Sequence, residues 1–126
     1  MATSTNVILS IKPKYAFAIL EGVKTVEFRK SVFGKDVNKV YIYASSPVKQ
    51  IVGFFTIKEI ISDSPELLWI QYKDNGSISK EDYFKYFGEK KIGFSILIDK
   101  VVVYKKHINP NSIKRNFYPP QSFLYQ

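Results

Sequence analysis

Cysteine is absent from the 126 residues, and histidine occurs once, as His107. Without thiols there is no disulfide framework and no thiolate metal site, and one imidazole cannot form a histidine cluster. No metal site and no cofactor is therefore expected. Glycine is scarce, and the prolines are scattered rather than gathered into a low-complexity tract, so neither a linker nor a disordered segment is indicated. No apolar run approaches the ~20 residues that a membrane-spanning helix needs. The opening residues Met1 to Asn6 show no basic stretch followed by an apolar core, so they do not read as a secretory signal. A cytoplasmic protein with no membrane partner is expected, or a nuclear one in a eukaryote. Negative charge is the remaining scarcity: 11 acidic residues stand against 19 lysines and arginines.

What is present follows from that imbalance. The net charge is +8, which suggests a polyanionic partner, nucleic acid first, although positive charge can also serve solubility alone. The basic residues are spread along the chain, with local pairs at Lys90-Lys91, Lys105-Lys106 and Lys114-Arg115. Any basic patch must then be assembled by folding. Aromatic residues make up 16% of the chain, more than a small core needs, so some of them are expected to line a surface groove. The length suits a single domain, residues 1–126, with one core.

Along the chain, residues 1–5 are small and polar and are expected to fray. Asn6 to Ile11 reads as a short buried strand, closed by Lys12-Pro13. Pro13 suits a helical first turn, and Ala16, Phe17, Ile19 and Leu20 carry helical spacing towards Glu21. Gly22 can take the left-handed conformation that ends a helix. Lys24 to Lys30 reads as a strand, with Val26 and Phe28 on one face and Thr25, Glu27 and Arg29 on the other. In this reading Lys24 sits at the strand mouth, able to swing to the polar face. After a loop, Lys39 to Ala44 and Ile51 to Ile61 read as strands. Gly53 marks a bulge or a close backbone approach. Ser64-Pro65 and Ser79 each open a short helix, and Gly88 closes the second. Lys91 to Tyr104 is the longest strand-like run, with a bend expected near Asp99-Lys100. Residues 105–126 have little periodicity, and Phe117 to Phe123 reads as an extended aromatic tail. Strands with intervening helices make an α+β domain.

The stretch from Gly22 to Lys30 carries more than its strand. Gly22, Lys24, Glu27 and Arg29 match every fixed position of the pattern Gly-x-Lys-x-x-Glu-x-Arg. By this stretch and its flanking elements the chain resembles the ASCH domain family of the PUA-like superfamily. The resemblance covers most of the chain. It implies a small PUA-like mixed β-barrel of about five or six strands, with two or three helices packed around it.

Four groups of residues are candidates for a site. Lys24, Glu27 and Arg29 could meet a nucleotide, with Arg29 offering a planar fork and Glu27 accepting from a base amino group; otherwise they form weak pairs on a solvated face. Lys12, in the turn before the first helix with Ser10, Lys14 and Tyr15 nearby, lies at a helix N-terminus that can face an anion, or is an ordinary loop residue. Tyr43, Ser45 and Ser46 could stack and bond a base, or form a turn with Tyr43 in a secondary core. Gln121 and Ser122, before Phe123, could wall a cleft, or belong to a structural strap.

The resemblance, the basic balance and the aromatic excess together favour a module that binds RNA or a single modified nucleobase or nucleoside. ASCH relatives also include small hydrolases. One type removes acyl groups from modified cytidine with a lysine, a threonine and a glutamate, and ribonuclease activity is a further alternative. Lys24 falls at the lysine position, but Glu27 occupies the threonine position. Thr25 and Glu81 are the residues left to complete such a site.

Overall fold

The computed structural model describes residues 5–34 and 36–126. The chain builds β1 (Thr5–Ile11), α1 (Pro13–Leu20), β2 (Val26–Arg29), β3 (Val37–Ala44), β4 (Gln50–Asp63), α2 (Pro65–Tyr72), α3 (Lys80–Phe87), β5 (Gly93–Ile108), a 3₁₀ turn (Pro110–Ser112) and β6 (Phe123–Tyr125). The strands form a single sheet ordered β2-β5-β4-β3-β1-β6, with β1 and β3 parallel and the other pairs antiparallel. This is the expected α+β barrel-type architecture: six strands curl into a half-barrel and three helices accompany them. The sheet's two edge strands are β2 and β6.

Helix boundaries follow the expected chemistry. The Ser64 hydroxyl accepts from the Leu67 N–H at 3.3 Å, and the Ser79 hydroxyl accepts from the Asp82 N–H at 3.1 Å. Each satisfies an N–H that its helix leaves unpaired. Gly22 follows the last turn of α1 at φ 79°, a conformation cheap only for glycine. Gly53 marks a close approach. A Cβ there would lie 2.3 Å from the Val102 carbonyl oxygen of β5 and 2.9 Å from Leu20 of α1.

Three clusters share the interior. The main core lies between α1 and the concave face of the sheet, where Ala16 and Ile19 meet Val7, Leu9, Val40, Ile42, Val52 and Phe55. A second packs α2 and α3 against one end of the sheet through Val26, Phe28, Leu68, Tyr83 and Phe87. Tyr83 is fully buried and satisfies its hydroxyl by donating to the Pro65 carbonyl at 2.6 Å. Burial pushes its pKa up to about 12, with the charge of Glu66 adding to the effect. The third cluster lies on the sheet's outer face, where Ile8, Tyr43 and Ile51 are covered by Ile113, Phe117 and Leu124.

Three expectations change. Thr5 is ordered into β1 opposite Val37, and residues 1–4 lie outside the described residues, as does the reading of a missing signal there. The long β-run does not break into two strands at Asp99-Lys100. It stays one strand and takes up the bend as a bulge: β5 runs from Ile98 to Val101 where β4 needs only Ile57 to Phe55. The tail after Tyr104 is not wholly irregular either. β5 continues to Ile108, and Phe123–Tyr125 adds a strand to β1, because Phe123 packs edge-on against Phe33 at 5.3 Å.

Candidate functional site

Where the two ends of the curled sheet come round to each other, they leave a cleft of about 830 Å³. Its floor is β2. One wall is β1 with the start of α1, the opposite wall is α3, and Pro120 to Ser122 forms the lip.

The floor holds three charges. Both faces of β2 are buried: Val26 and Phe28 enter the second core cluster, while Glu27 and Arg29 point into the cleft. The Glu27 carboxylate lies 3.4 Å from the Lys24 ammonium through Oε1 and 3.0 Å from the Arg29 guanidinium through Oε2. It therefore holds two cations at once. Lys24 is only 3% exposed and also donates to the Gly76 carbonyl. Burial pulls its pKa below the ordinary lysine value. Glu27 opposes that shift by charge and hydrogen bond, and Arg29 adds to it.

Arg29 spans the seam of the sheet. One terminal nitrogen donates to Glu27 and, at 3.3 Å, to the Ser10 carbonyl of β1; the other donates to the Ser122 hydroxyl at 2.8 Å. No backbone ladder joins β2 to β1 or β6 among the described residues, so this side chain is the polar link between them. Its Nε is buried and has no partner among the described residues.

Aromatic rings flank the charges. The Lys24 ammonium lies 5.2 Å from the centre of Tyr15 and 5.7 Å from that of Phe28. Burial raises the Tyr15 pKa, and the charges of Asp82 and Glu27 push it the same way, so its hydroxyl keeps its proton at neutral pH. Tyr86 on α3 accepts a hydrogen bond from the Lys30 N–H at 3.1 Å and carries the Lys30 ammonium 4.9 Å above its ring. Exposed Lys12, Lys30 and Lys85 line the cleft, with Asp82 between them in charge.

This geometry has counterparts. A protein-family model described as "Domain of unknown function (DUF365)" matches residues 4–115. An ASCH domain-containing ribonuclease of Zymomonas mobilis is 32% identical over 121 residues, covering 94% of this chain and 82% of the relative. The chain belongs to the DUF365 family and is an ASCH-domain protein. The crystal structure of ASCH from Zymomonas mobilis superposes with a TM-score of 0.89 at 30% identity, covering 96% of this chain and 87% of that one. A segment of ATP synthase subunit alpha from Ureaplasma parvum is also 31% identical over 95% of this chain, which spans 15% of that subunit's length.

In this ASCH domain, Lys12, Lys24, Glu27, Arg29, Ser45, Gln121 and Ser122 all line the one cleft, although they come from four separate stretches of chain. Lys24 is not free to swing, since its ammonium is held by Gly76 and Glu27. Tyr43 does not reach the cleft. It is 3% exposed and tilts against Phe117 at 5.0 Å in the outer cluster, because its strand position faces away from the main core. Ser46 is exposed in the turn after β3 and does not line the cleft. Thr25 is exposed ahead of β2. Its backbone is engaged by Asn75 and Ile98, and its side chain does not line the cleft. Glu81 is exposed and off the cleft, and its neighbour Asp82 faces in instead.

The α3 wall was missed. Asp82, Lys85 and Tyr86 share a helix face by their three- and four-residue spacing, beside the stripe that buries Tyr83 and Phe87. That polar stripe is legible in the sequence. Its orientation towards β2 is not, because it depends on where α3 docks. Among the described residues, no group of three or more His, Cys, Asp or Glu could hold a metal ion, and no helix is long and apolar enough to cross a membrane.

Proposed function

We propose that this ASCH domain binds single-stranded RNA, taking one exposed nucleobase into the seam cleft. The observation that carries this reading is the cleft's composition: buried cations and tyrosine rings under a rim of lysines. The rim lysines Lys12, Lys30 and Lys85 would lie along the phosphates and make affinity fall with salt. Tyr15 and Tyr86 offer rings for the base, a contact worth about 1–3 kcal/mol. The Arg29 Nε–H is the donor left over at the floor, and Asp82 is the acceptor on the wall. Glu27 acts chiefly as the anion that keeps Lys24 and Arg29 in place. Coming from a relative of similar length, the name ribonuclease supports RNA as the class of partner.

That same name, together with the lowered pKa of Lys24, supports a second reading in which the RNA is cleaved. A lysine that loses its proton more readily can accept one from a ribose hydroxyl. The deacylating alternative has less support, since Thr25 stands off the cleft.

The test is a titration of fluorescent single-stranded RNA octamer at two salt concentrations with wild type and Arg29→Met, followed by sizing of the RNA. Salt-sensitive binding that weakens at least tenfold in Arg29→Met, with the RNA recovered intact, is the expected result. Equal affinity in a folded Arg29→Met overturns the binding reading. Shortened RNA whose appearance is abolished by Lys24→Met selects cleavage.

A further inference from the structure

The convex face of the sheet carries a second feature that the cleft does not use. Tyr41 of β3, Phe54 of β4 and Tyr104 of β5 lie side by side across three strands, with ring centres 6.1 Å apart at each step. Tyr41 pairs directly with Phe54 in the ladder, so they share a face. All three are half-buried rather than covered. The segment after β5 roofs the neighbouring Tyr43 through Phe117, and Tyr41 and Tyr104 pack at the margin of that cluster while staying partly exposed.

Lysines flank this row. Strand alternation puts Lys39 beside Tyr41, and Lys100 sits in the β5 bulge next to the Phe54 row. The Lys39 ammonium already rests 4.9 Å above the Phe54 ring, and the Lys100 N–H donates to the Thr56 hydroxyl, which fixes that row against β4. Asp99 beside Lys100 and Glu59 beside Lys58 stand at the two bulges that interrupt β5 and β4 next to this row.

We infer that Tyr41, Phe54 and Tyr104 form a stacking platform for single-stranded nucleic acid on the convex face, separate from the seam cleft. The rings are tilted by 66° and 56° to their neighbours, so they present edges and faces in turn rather than one flat floor. Bases of any sequence can stack on such a row, because every base has a π-face. Lys39 would leave the Phe54 ring for a phosphate, freeing that ring for a base. Lys39 and Lys100 beside the aromatic row select the occupant, since they match phosphates running alongside stacked bases. An apolar protein partner would leave these lysines unpaired.

The experiment uses the full chain. A 4-thiouridine-containing RNA 12-mer is photo-crosslinked to it and the modified peptides are mapped by mass spectrometry. The affinity of the same 12-mer is measured for wild type, Phe54→Leu, Tyr104→Leu, Lys39→Gln/Lys100→Gln and Arg29→Met. Crosslinks on the β3, β4 or β5 peptides are expected, surviving Arg29→Met, so that failure of the cleft and failure of the platform are told apart. Each aromatic variant should lose roughly 5- to 150-fold in affinity. The double lysine variant should flatten the salt dependence by about 0.7 per charge removed. Circular dichroism guards against unfolding, and the leucine variants keep the apolar bulk. Crosslinks confined to the cleft peptides, unchanged affinity in both aromatic variants, or losses from the lysines alone each overturn the platform. So does self-association of the chain through this face, seen as a dimer in sedimentation that Tyr104→Leu dissolves.

Discussion

Replacing Glu27 by glutamine removes the one anion that holds two buried cations. In wild type its two oxygens sit 3.4 Å from Lys24 and 3.0 Å from Arg29. Glutamine keeps the shape and can still accept from one of them, so the loss is of charge rather than packing. Breaking a buried ion pair from one side costs about 3–5 kcal/mol, because the surviving charge is left uncompensated. Here two charges survive, but one can be shed. Lys24 already has a lowered pKa from burial, and Glu27 is what resists that shift, so in Glu27→Gln it falls further. Each pKa unit of that fall costs about 1.4 kcal/mol wherever Lys24 stays protonated. The sign is set by proton binding. Between the folded and the unfolded lysine pKa the unfolded chain holds more protons, so stability rises with pH across that window. Below the folded pKa the whole penalty is present, and it fades as pH rises through that value. The variant's window opens at a lower pH than the wild type's, so the gap between the two proteins should be widest in acid and narrow towards pH 10. Urea unfolding of both proteins from pH 5.5 to 10 measures it. A destabilisation under about 1 kcal/mol at every pH, or one that does not shrink as pH rises, refutes the reasoning.

Other expectations concern separate parts of the molecule. Ser122→Ala removes the hydroxyl that accepts from Arg29 at 2.8 Å; thermal unfolding should register about 1–2 kcal/mol, and hydrogen exchange at Phe123–Tyr125 should quicken. Gly53→Ala forces a methyl onto the Val102 carbonyl at 2.3 Å, backbone that cannot rotate away. It should cost about 3 kcal/mol or more in denaturant unfolding, whereas Gly34→Ala, with open space around it, should change little. Tyr83→Phe leaves the Pro65 carbonyl without its 2.6 Å donor in the second core cluster. A loss of about 1–3 kcal/mol by calorimetry is expected, with no change in RNA affinity because Tyr83 does not line the cleft.

Much of the local structure could be read directly. Ser64, Ser79, Pro13, Pro65, Gly22 and Gly88 mark helix ends by chemistry that involves only near neighbours, and the helices end where these residues stand. Gly53 was legible as a close approach, though not what approaches it. Tyr43 takes the second of its two readings, the secondary core. Strand alternation sets it opposite Val40 and Ile42, but alternation names two faces and does not say which meets solvent. The outer face at that point is roofed by Phe117, which comes 74 positions later in the chain. Asp82, Lys85 and Tyr86 were missed for the same reason, since an amphipathic helix shows its polar stripe without naming what the stripe confronts.

The sequence by itself determined the element types, the signature Gly22-Lys24-Glu27-Arg29, and the positive balance that points to a polyanion. Those depend on covalent neighbours, on periods of two and 3.6, and on counting charges. Only the tertiary structure decided that the signature faces inward, that Lys24 is held rather than mobile, and that Arg29 reaches across to Ser10 and Ser122. Those outcomes depend on which strands end up as edges of the sheet. A buried charge cluster is stable only where partners from distant parts of the chain surround it, and no local pattern in the sequence encodes their arrival.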